Sequence, residues 1–121
     1  MLPAPRLTRK AGRPPRRDLT DWVPFFDAVD EARRTRTFEA LKRLYSRSRR
    51  TRERAVINAT ARALAQELDI PEPWWATRPQ FLPAPYFVSG IENLKASALQ
   101  ESPTPFRQNN IFVLGNFLNR V

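Results

Sequence analysis

The chain has 121 residues and contains neither cysteine nor histidine. It is therefore at most one domain, without disulfides, thiolate or imidazole metal ligands, or the two commonest catalytic side chains near neutral pH. Its formal net charge is +9, and six of the 21 basic residues fall within residues 1–17, which hold no acidic residue.

Residues 1–18 form a basic arm that we expect to be disordered, because four prolines and few large apolar side chains cannot compensate the entropy of ordering. Its Gly12-Arg13-Pro14 core resembles the AT-hook, which inserts Arg-Gly-Arg-Pro into the minor groove of A·T-rich DNA. Ala11 stands where the first arginine of that motif belongs, so only three residues match. The candidate nucleic-acid-binding residues of the arm are Arg9, Lys10, Arg13, Arg16 and Arg17.

Three other interpretations of the arm stay open. It can add unspecific phosphate affinity, or it can be only a solvated tail. An Arg-rich segment without acids is also typical of a mitochondrial presequence, but four prolines and the lack of serine disfavour the amphipathic helix that such signals form.

Residues 19–70 are predicted to form three helices. The first, about 21–34, has Asp21 placed to cap it and Pro24 in its first turn. The second spans about 36–48, and the third spans about 51–69 and ends before Pro71. The apolar positions follow helical spacing: Trp22, Phe25, Phe26 and Val29; then Phe38, Leu41, Leu44 and Tyr45; then Ile57, Thr60, Ala61, Leu64 and Leu68.

Residues 71–85 carry five prolines and several large apolar side chains, so we predict an extended strap laid over the helices. Adjacent residues of an extended segment point to opposite sides, so one of Trp74 and Trp75 can face the core and the other a partner. Base stacking is the alternative, but Arg78 alone supplies a positive charge within this aromatic stretch.

Residues 86–121 are predicted to form a helix over about 85–100 and an apolar tail. The run Ile111–Leu114 is compatible with a strand or a helical turn, and residues 116–121 with a last helical turn. The expected fold is mainly α, a small bundle of about four helices with a Pro-rich aromatic strap and a partly irregular C-terminal segment.

A second basic run, Arg47–Arg54, contains five arginines and the single acid Glu53. At the end of a helix these charges complement the helix dipole, whereas at the start of the next helix they oppose it and favour an anion or an acidic partner. A solvated helix corner, a nucleic-acid contact and an acidic protein surface are the three interpretations. The candidate nucleic-acid-binding residues of the run are Arg47, Arg49, Arg50 and Arg52.

No catalytic residue, metal site or cofactor is predicted. The chain has three glycines, none in a phosphate-binding loop, and Asp27, Asp30 and Glu31 fall on the polar face of a helix, where they are solvated. No apolar run reaches eighteen residues and no secretory h-region is present, so we expect a cytoplasmic protein that neither enters nor spans a membrane.

The C-terminal third ends in ESPTPFRQNNIFVLGNFLNR, residues 101–120. It resembles small uncharacterised bacterial proteins that close on an ESPxPFRxxNIFVLxNFLxR pattern, and residues 59–75 resemble them more loosely. The matching positions are Glu101, Ser102, Pro103, Pro105, Phe106, Arg107, Asn110, Ile111, Phe112, Val113, Leu114, Asn116, Phe117, Leu118 and Arg120. The resemblance implies an antitoxin-like protein encoded beside a nucleotidyltransferase-like partner, and the basic arm is not part of it.

The resemblance and the missing catalytic residues together predict a non-enzymatic protein that neutralises a protein partner by direct binding. We expect Asn109 and Asn110 to satisfy backbone polar groups and Arg107 to pair with an acidic group of the partner. The alternative is a nucleic-acid-binding or ribosome-associated protein that uses the arm and the Arg47–Arg54 run. The candidate partner-binding residues are Trp74, Trp75, Phe106, Arg107, Asn110, Phe112 and Phe117.

Overall fold

A computed structural model describes residues 22–88 and 94–119, and 60% of these residues are helical. The predicted mainly helical bundle is therefore confirmed. The described part contains α1 (Val23–Thr35), α2 (Glu39–Arg47), α3 (Thr51–Leu68), a 3-10 turn (Trp74–Ala76), β1 (Tyr86–Phe87), α4 (Lys95–Glu101), α5 (Thr104–Gln108) and β2 (Ile111–Phe112). The predictions for the arm, with Arg9, Lys10, Arg13, Arg16 and Arg17, and for Asp21 as a cap lie outside the described residues.

Helix α3 is the centre of the fold, since α2, α5 and the 3-10 turn all pack against it. Its middle is buried on every side, and the alanines there let neighbouring elements approach closely. The apolar stripe of this helix predicts burial on one face only. It does not predict the burial of the polar residues Asn58 and Arg62. The buried residues of α3 are Ala55, Val56, Ile57, Asn58, Ala59, Thr60, Ala61, Arg62, Leu64 and Ala65.

Helices α1 and α2 pack against each other. Helix α1 has Pro24 in its first turn, as predicted, and Trp22 at the N-cap position without a capping side chain. It ends where Arg36 adopts a left-handed backbone with φ 58°. Helix α2 therefore begins only at Glu39, three residues later than predicted, although Phe38 in the connection is still buried.

The prediction of a helix over 85–100 is wrong at its start. Tyr86 and Phe87 form β1, which pairs in parallel with β2 in the register Tyr86↔Ile111 and Phe87↔Phe112. The prolines at 83 and 85 favour an extended chain here, and α4 begins only at Lys95. The pairing also decides the ambiguous run at 111–114, whose first two residues form a strand.

Two further details differ from the predictions. Helix α5, which is only five residues long, was not predicted, and it follows Pro103 with Pro105 in its first turn. Residues 115–118 form turns closed by backbone bonds from Phe117 N–H to Leu114 O (2.9 Å) and Asn119 N–H to Asn116 O (2.9 Å), not a helical turn. Over the two described ranges, no helix combines the length and the apolar character needed to cross a membrane.

Candidate functional site

Asn109, which follows α5, joins the strap to α3. Its side chain is fully buried, and its Nδ2 donates to Ala55 O (2.8 Å) and to Asn58 Oδ1 (2.8 Å). Its Oδ1 accepts a bond from Gln80 N–H (2.7 Å), and its backbone carbonyl accepts one from Leu82 N–H (3.0 Å). Asn109 thus links the central helix to the strap, together with Asn58 of α3, whose Nδ2 donates to Arg78 O (2.9 Å).

Asn110 extends the same connection. It adopts a left-handed backbone with φ 63°, which asparagine tolerates better than most residues. Its Nδ2 donates to Leu82 O (3.0 Å), and its carbonyl accepts from Tyr86 N–H (3.0 Å). Both asparagines satisfy backbone polar groups as predicted, but all of these bonds are made within the chain.

The Glu101-Ser102 pair and Arg107 are also engaged within the chain. Buried Ser102 Oγ accepts from Val113 N–H (2.8 Å) and donates toward Ala98 O (2.6 Å). Glu101 Oε1 accepts from Gly115 N–H (2.9 Å). Arg107, predicted to meet an acidic partner group, donates to Ser102 O (2.8 Å) and Gln100 O (2.8 Å), the free carbonyls at the end of α4.

The three phenylalanines predicted to bind a partner occupy different environments. Phe106 is fully buried in the core, where it offers no surface to another molecule. Phe117 is partly buried and packs edge-on against Phe106 and Trp22, with ring centroids 5.8 and 5.6 Å apart. Phe112 is half-buried and stacks on Phe87 at 5.1 Å. The C-terminal segment is thus largely a scaffold element.

The two neighbouring tryptophans of the strap face different surroundings. Trp75 packs on the core and lies 4.9 Å from the ring of Tyr45, whose hydroxyl also accepts a bond from Gln80 Nε2. Trp74 is 77% exposed. The 3-10 turn, and not the predicted extended chain, separates the two directions.

Basic side chains from three helices lie over aromatic rings of α2, the 3-10 turn and β1. Lys42 of α2 lies 5.5 Å from the ring centre of Trp74. From α3, the guanidinium of Arg54 lies 4.0 Å from the ring of Tyr45, and that of Arg52 lies 4.5 Å from Tyr86. Lys95 of α4 lies 5.2 Å from Phe87. We call these four contacts the ring–cation row.

The row corrects the expectation that positive charge is scarce among the aromatic residues. In the sequence only Arg78 lies within the aromatic stretch, whereas in the fold four other cations lie over Trp74, Tyr86, Phe87 and Tyr45. The signal was present in the Arg47–Arg54 run, but no sequence spacing links that run to residues 74–87. The packing of the strap on α3, and its contacts with Tyr45 and Lys42 of α2, bring them together.

The remaining arginines of the run lie at the corner between α2 and α3. Arg47 ends α2, where its charge complements the helix dipole, while Arg50 is the N-cap of α3 and makes no capping side-chain bond. Arg47 and Arg49 are exposed. Beside the corner lies a shallow depression of about 410 Å³, lined by Glu39, Lys42, Arg43, Ser46 and Arg47. The corner thus extends the positive charge of the ring–cation row.

The carboxylates predicted to be solvated form no candidate reaction centre. Asp27 and Asp30 are exposed, and Glu31 is half-buried with Arg34 and Arg43 at 3.9 Å. Within residues 22–88 and 94–119, no group of three metal-ligating side chains is positioned to hold an ion.

Arg33 and Glu67 form an ion pair that joins α1 to α3. Arg33 donates two bonds to that carboxylate, at 2.7 and 3.0 Å, and a third to Leu118 O at 3.0 Å. The bonds from Arg33 lower the pKa of Glu67 from its ordinary 4.5. This pair holds the tail against the bundle.

No protein-family model, curated protein or solved structure matches the chain.

Proposed function

We propose that this protein is a non-catalytic nucleic-acid-binding protein whose binding face is the ring–cation row and the adjoining α2–α3 corner. The observation that carries the proposal is that four cations each lie within 4.0 to 5.5 Å of the centre of an aromatic ring. Positive charge attracts the phosphate backbone, and aromatic rings contact bases. Proteins that bind single-stranded nucleic acid combine these two kinds of side chain.

The charge distribution supports this proposal. The chain carries a net charge of +9, and the basic arm holds six of the 21 basic residues. The arm adds affinity that does not depend on base sequence, because arginine and lysine neutralise phosphates and release counterions. The folded face, in contrast, supplies rings at fixed positions. We therefore propose that the arm and the face both contribute to the affinity, and that the face orients the bound nucleic acid.

The experiment compares the salt dependence of binding for two variants with equal net charge. Arg47→Gln combined with Arg49→Gln removes two charges from the corner, and Arg34→Glu removes the same amount of charge from α1. Fluorescence anisotropy with a labelled oligonucleotide is measured over a range of salt concentrations. The double variant lowers the slope of log K against log salt by about 1.5, since each phosphate contact contributes roughly 0.7 to 0.9.

The control Arg34→Glu leaves that slope nearly unchanged if the face, and not total charge, binds the phosphates. Equal effects of the two variants would show that binding is a property of net charge alone. No binding by the unaltered chain at low salt would overturn the proposal.

A second candidate function is protein binding, in the antitoxin-like setting that the C-terminal resemblance implies. Its specific support is the exposure of two large rings on the strap, Trp74 at 77% and Phe81 at 68%. Exposed tryptophan is a frequent anchor in protein interfaces. In this proposal the strap occludes the active surface of a nucleotidyltransferase-like partner, and the C-terminal segment holds the strap in place.

The test of the second candidate is co-expression with the protein encoded next to this one, followed by affinity purification. A complex that survives purification, and that is lost in Trp74→Ala combined with Phe81→Ala, supports occlusion by the strap. Failure of the two unaltered proteins to co-purify would contradict it.

A further inference from the structure

We propose that the ligand of this face is single-stranded nucleic acid, one base of which stacks on Trp74. This inference rests on the proposed nucleic-acid function and specifies its substrate class. The exposed large apolar side chains among the described residues are Val23, Trp74, Phe81 and Leu99. Of these four, Trp74 alone has a cation over its ring.

The geometry of Trp74 suits stacking on an unpaired base. Lys42 lies 5.5 Å from the centre of the indole, on one of its faces, and the residue is 77% exposed, so the other face is open to solvent. A base in a duplex has both faces covered by its neighbours. An open indole face therefore gains stacking energy only from a base that is not in a duplex.

The rigidity of the turn that carries Trp74 lowers the entropic cost of binding. Ala76 N–H bonds to Pro73 O at 2.9 Å, Ala76 is fully buried, and the neighbouring Trp75 packs against Tyr45. The indole is thus presented from a fixed backbone and does not have to be ordered by the ligand.

Two more cation–ring contacts lie beyond Trp74. Tyr86 lies under Arg52 and is half-buried. Phe87 lies under Lys95 and stacks on Phe112, so this contact contributes the charge of Lys95 and no ring face for a base. Guanidinium planes on rings also accept stacked bases, and their charge lies near the phosphates that link those bases. A single strand has phosphates and exposed bases at similar intervals, whereas a duplex shows only phosphates and groove edges to a flat face.

The experiment measures intrinsic tryptophan fluorescence and affinity with the full chain. The probes are an oligodeoxythymidine and an oligouridine of about 12 nucleotides, the corresponding duplex, and poly-L-glutamate of similar charge. The single strands quench the fluorescence and bind more tightly than the duplex. Trp74→Ala lowers affinity for the single strands roughly 5- to 150-fold, and Trp74→Phe keeps most of the affinity but loses the quenching.

Phe81→Ala is the matched control, because this ring is 68% exposed on the same strap but has no cation over it within the described chain. It leaves the affinity unchanged. Equal binding of duplex and single strand, with no effect of Trp74→Ala, overturns the single-strand inference and leaves the proposed function standing. Absence of binding to every nucleic acid overturns both. Equally tight binding of poly-L-glutamate assigns the face to an acidic protein surface.

Discussion

Substitution of Asn109 tests whether the C-terminal segment is a scaffold. Replacing it with alanine removes the donor to Ala55 O and Asn58 Oδ1 and the acceptor for Gln80 N–H. The Ala55 carbonyl keeps its place in the helix ladder, so two groups lose their partner. Leaving a buried polar group unsatisfied costs about 1 to 3 kcal/mol, so we expect a loss of about 4 kcal/mol in the free energy of unfolding.

The assay is urea denaturation followed by circular dichroism, with thermal unfolding beside it. A loss of this size is a large part of the roughly 5 to 15 kcal/mol that stabilises a small domain. Asn109→Asp separates hydrogen bonding from packing, because it keeps the shape and the acceptor but puts an oxygen where Nδ2 lay, 2.8 Å from two acceptors. We expect it to destabilise the fold at least as strongly as alanine.

The control is Asn116→Ala, since this asparagine lies in an exposed turn of the same segment. Its effect should stay within about 0.5 kcal/mol. If Asn109→Ala has an equally small effect, the strap is not held through this side chain, and the scaffold interpretation of the C-terminal segment fails.

Three further predictions concern stability. Phe106→Ala costs about 3 to 5 kcal/mol in denaturant titrations because it empties a fully buried site, while Trp74→Ala stays within about 0.5 kcal/mol because that ring is 77% exposed. Ser102→Ala lowers the free energy of unfolding by about 1 to 3 kcal/mol, because the buried Val113 N–H loses its acceptor. An unchanged midpoint of urea denaturation would contradict this. Glu67 has a lowered pKa, so its contribution is present above pH 4.5 and is lost as the pH falls through the folded value. Because its side chain is 44% exposed, the loss on acidification is below about 1 kcal/mol, and Glu67→Gln, which no longer ionises opposite Arg33, should not show it.

The helices could be predicted from the sequence because their signals are local. The period of apolar residues in α1 and α3 and the prolines at 24 and 71 depend on neighbours a few positions apart. The strand at Tyr86–Phe87 could not be predicted in this way. Its partner lies 25 residues further along the chain, and the pairing overrides a helical pattern that reads equally well locally.

The candidate site was only partly predictable for the same reason. The arginine run and the aromatic strap were each visible, but their contact depends on how the strap lies on α2 and α3. Asn109 gave no stronger signal than Asn110, and the difference appears only in burial: Asn109 is fully buried, while Asn110 is half-buried. Arg62 was missed because a buried charge on a central helix departs from every amphipathic pattern.

The distribution of hydrogen bonds over the C-terminal segment bears on where function resides. Glu101, Ser102, Arg107 and Asn110 bond to groups inside the chain, so these side chains have a structural role in the fold. What the segment fixes is the strap, and the strap places Trp74 beside Lys42. Substitutions in the segment should therefore weaken binding only as far as they unfold the strap, whereas Trp74→Ala should weaken binding at full stability. Measuring both quantities for the same variants separates the scaffold from the binding face.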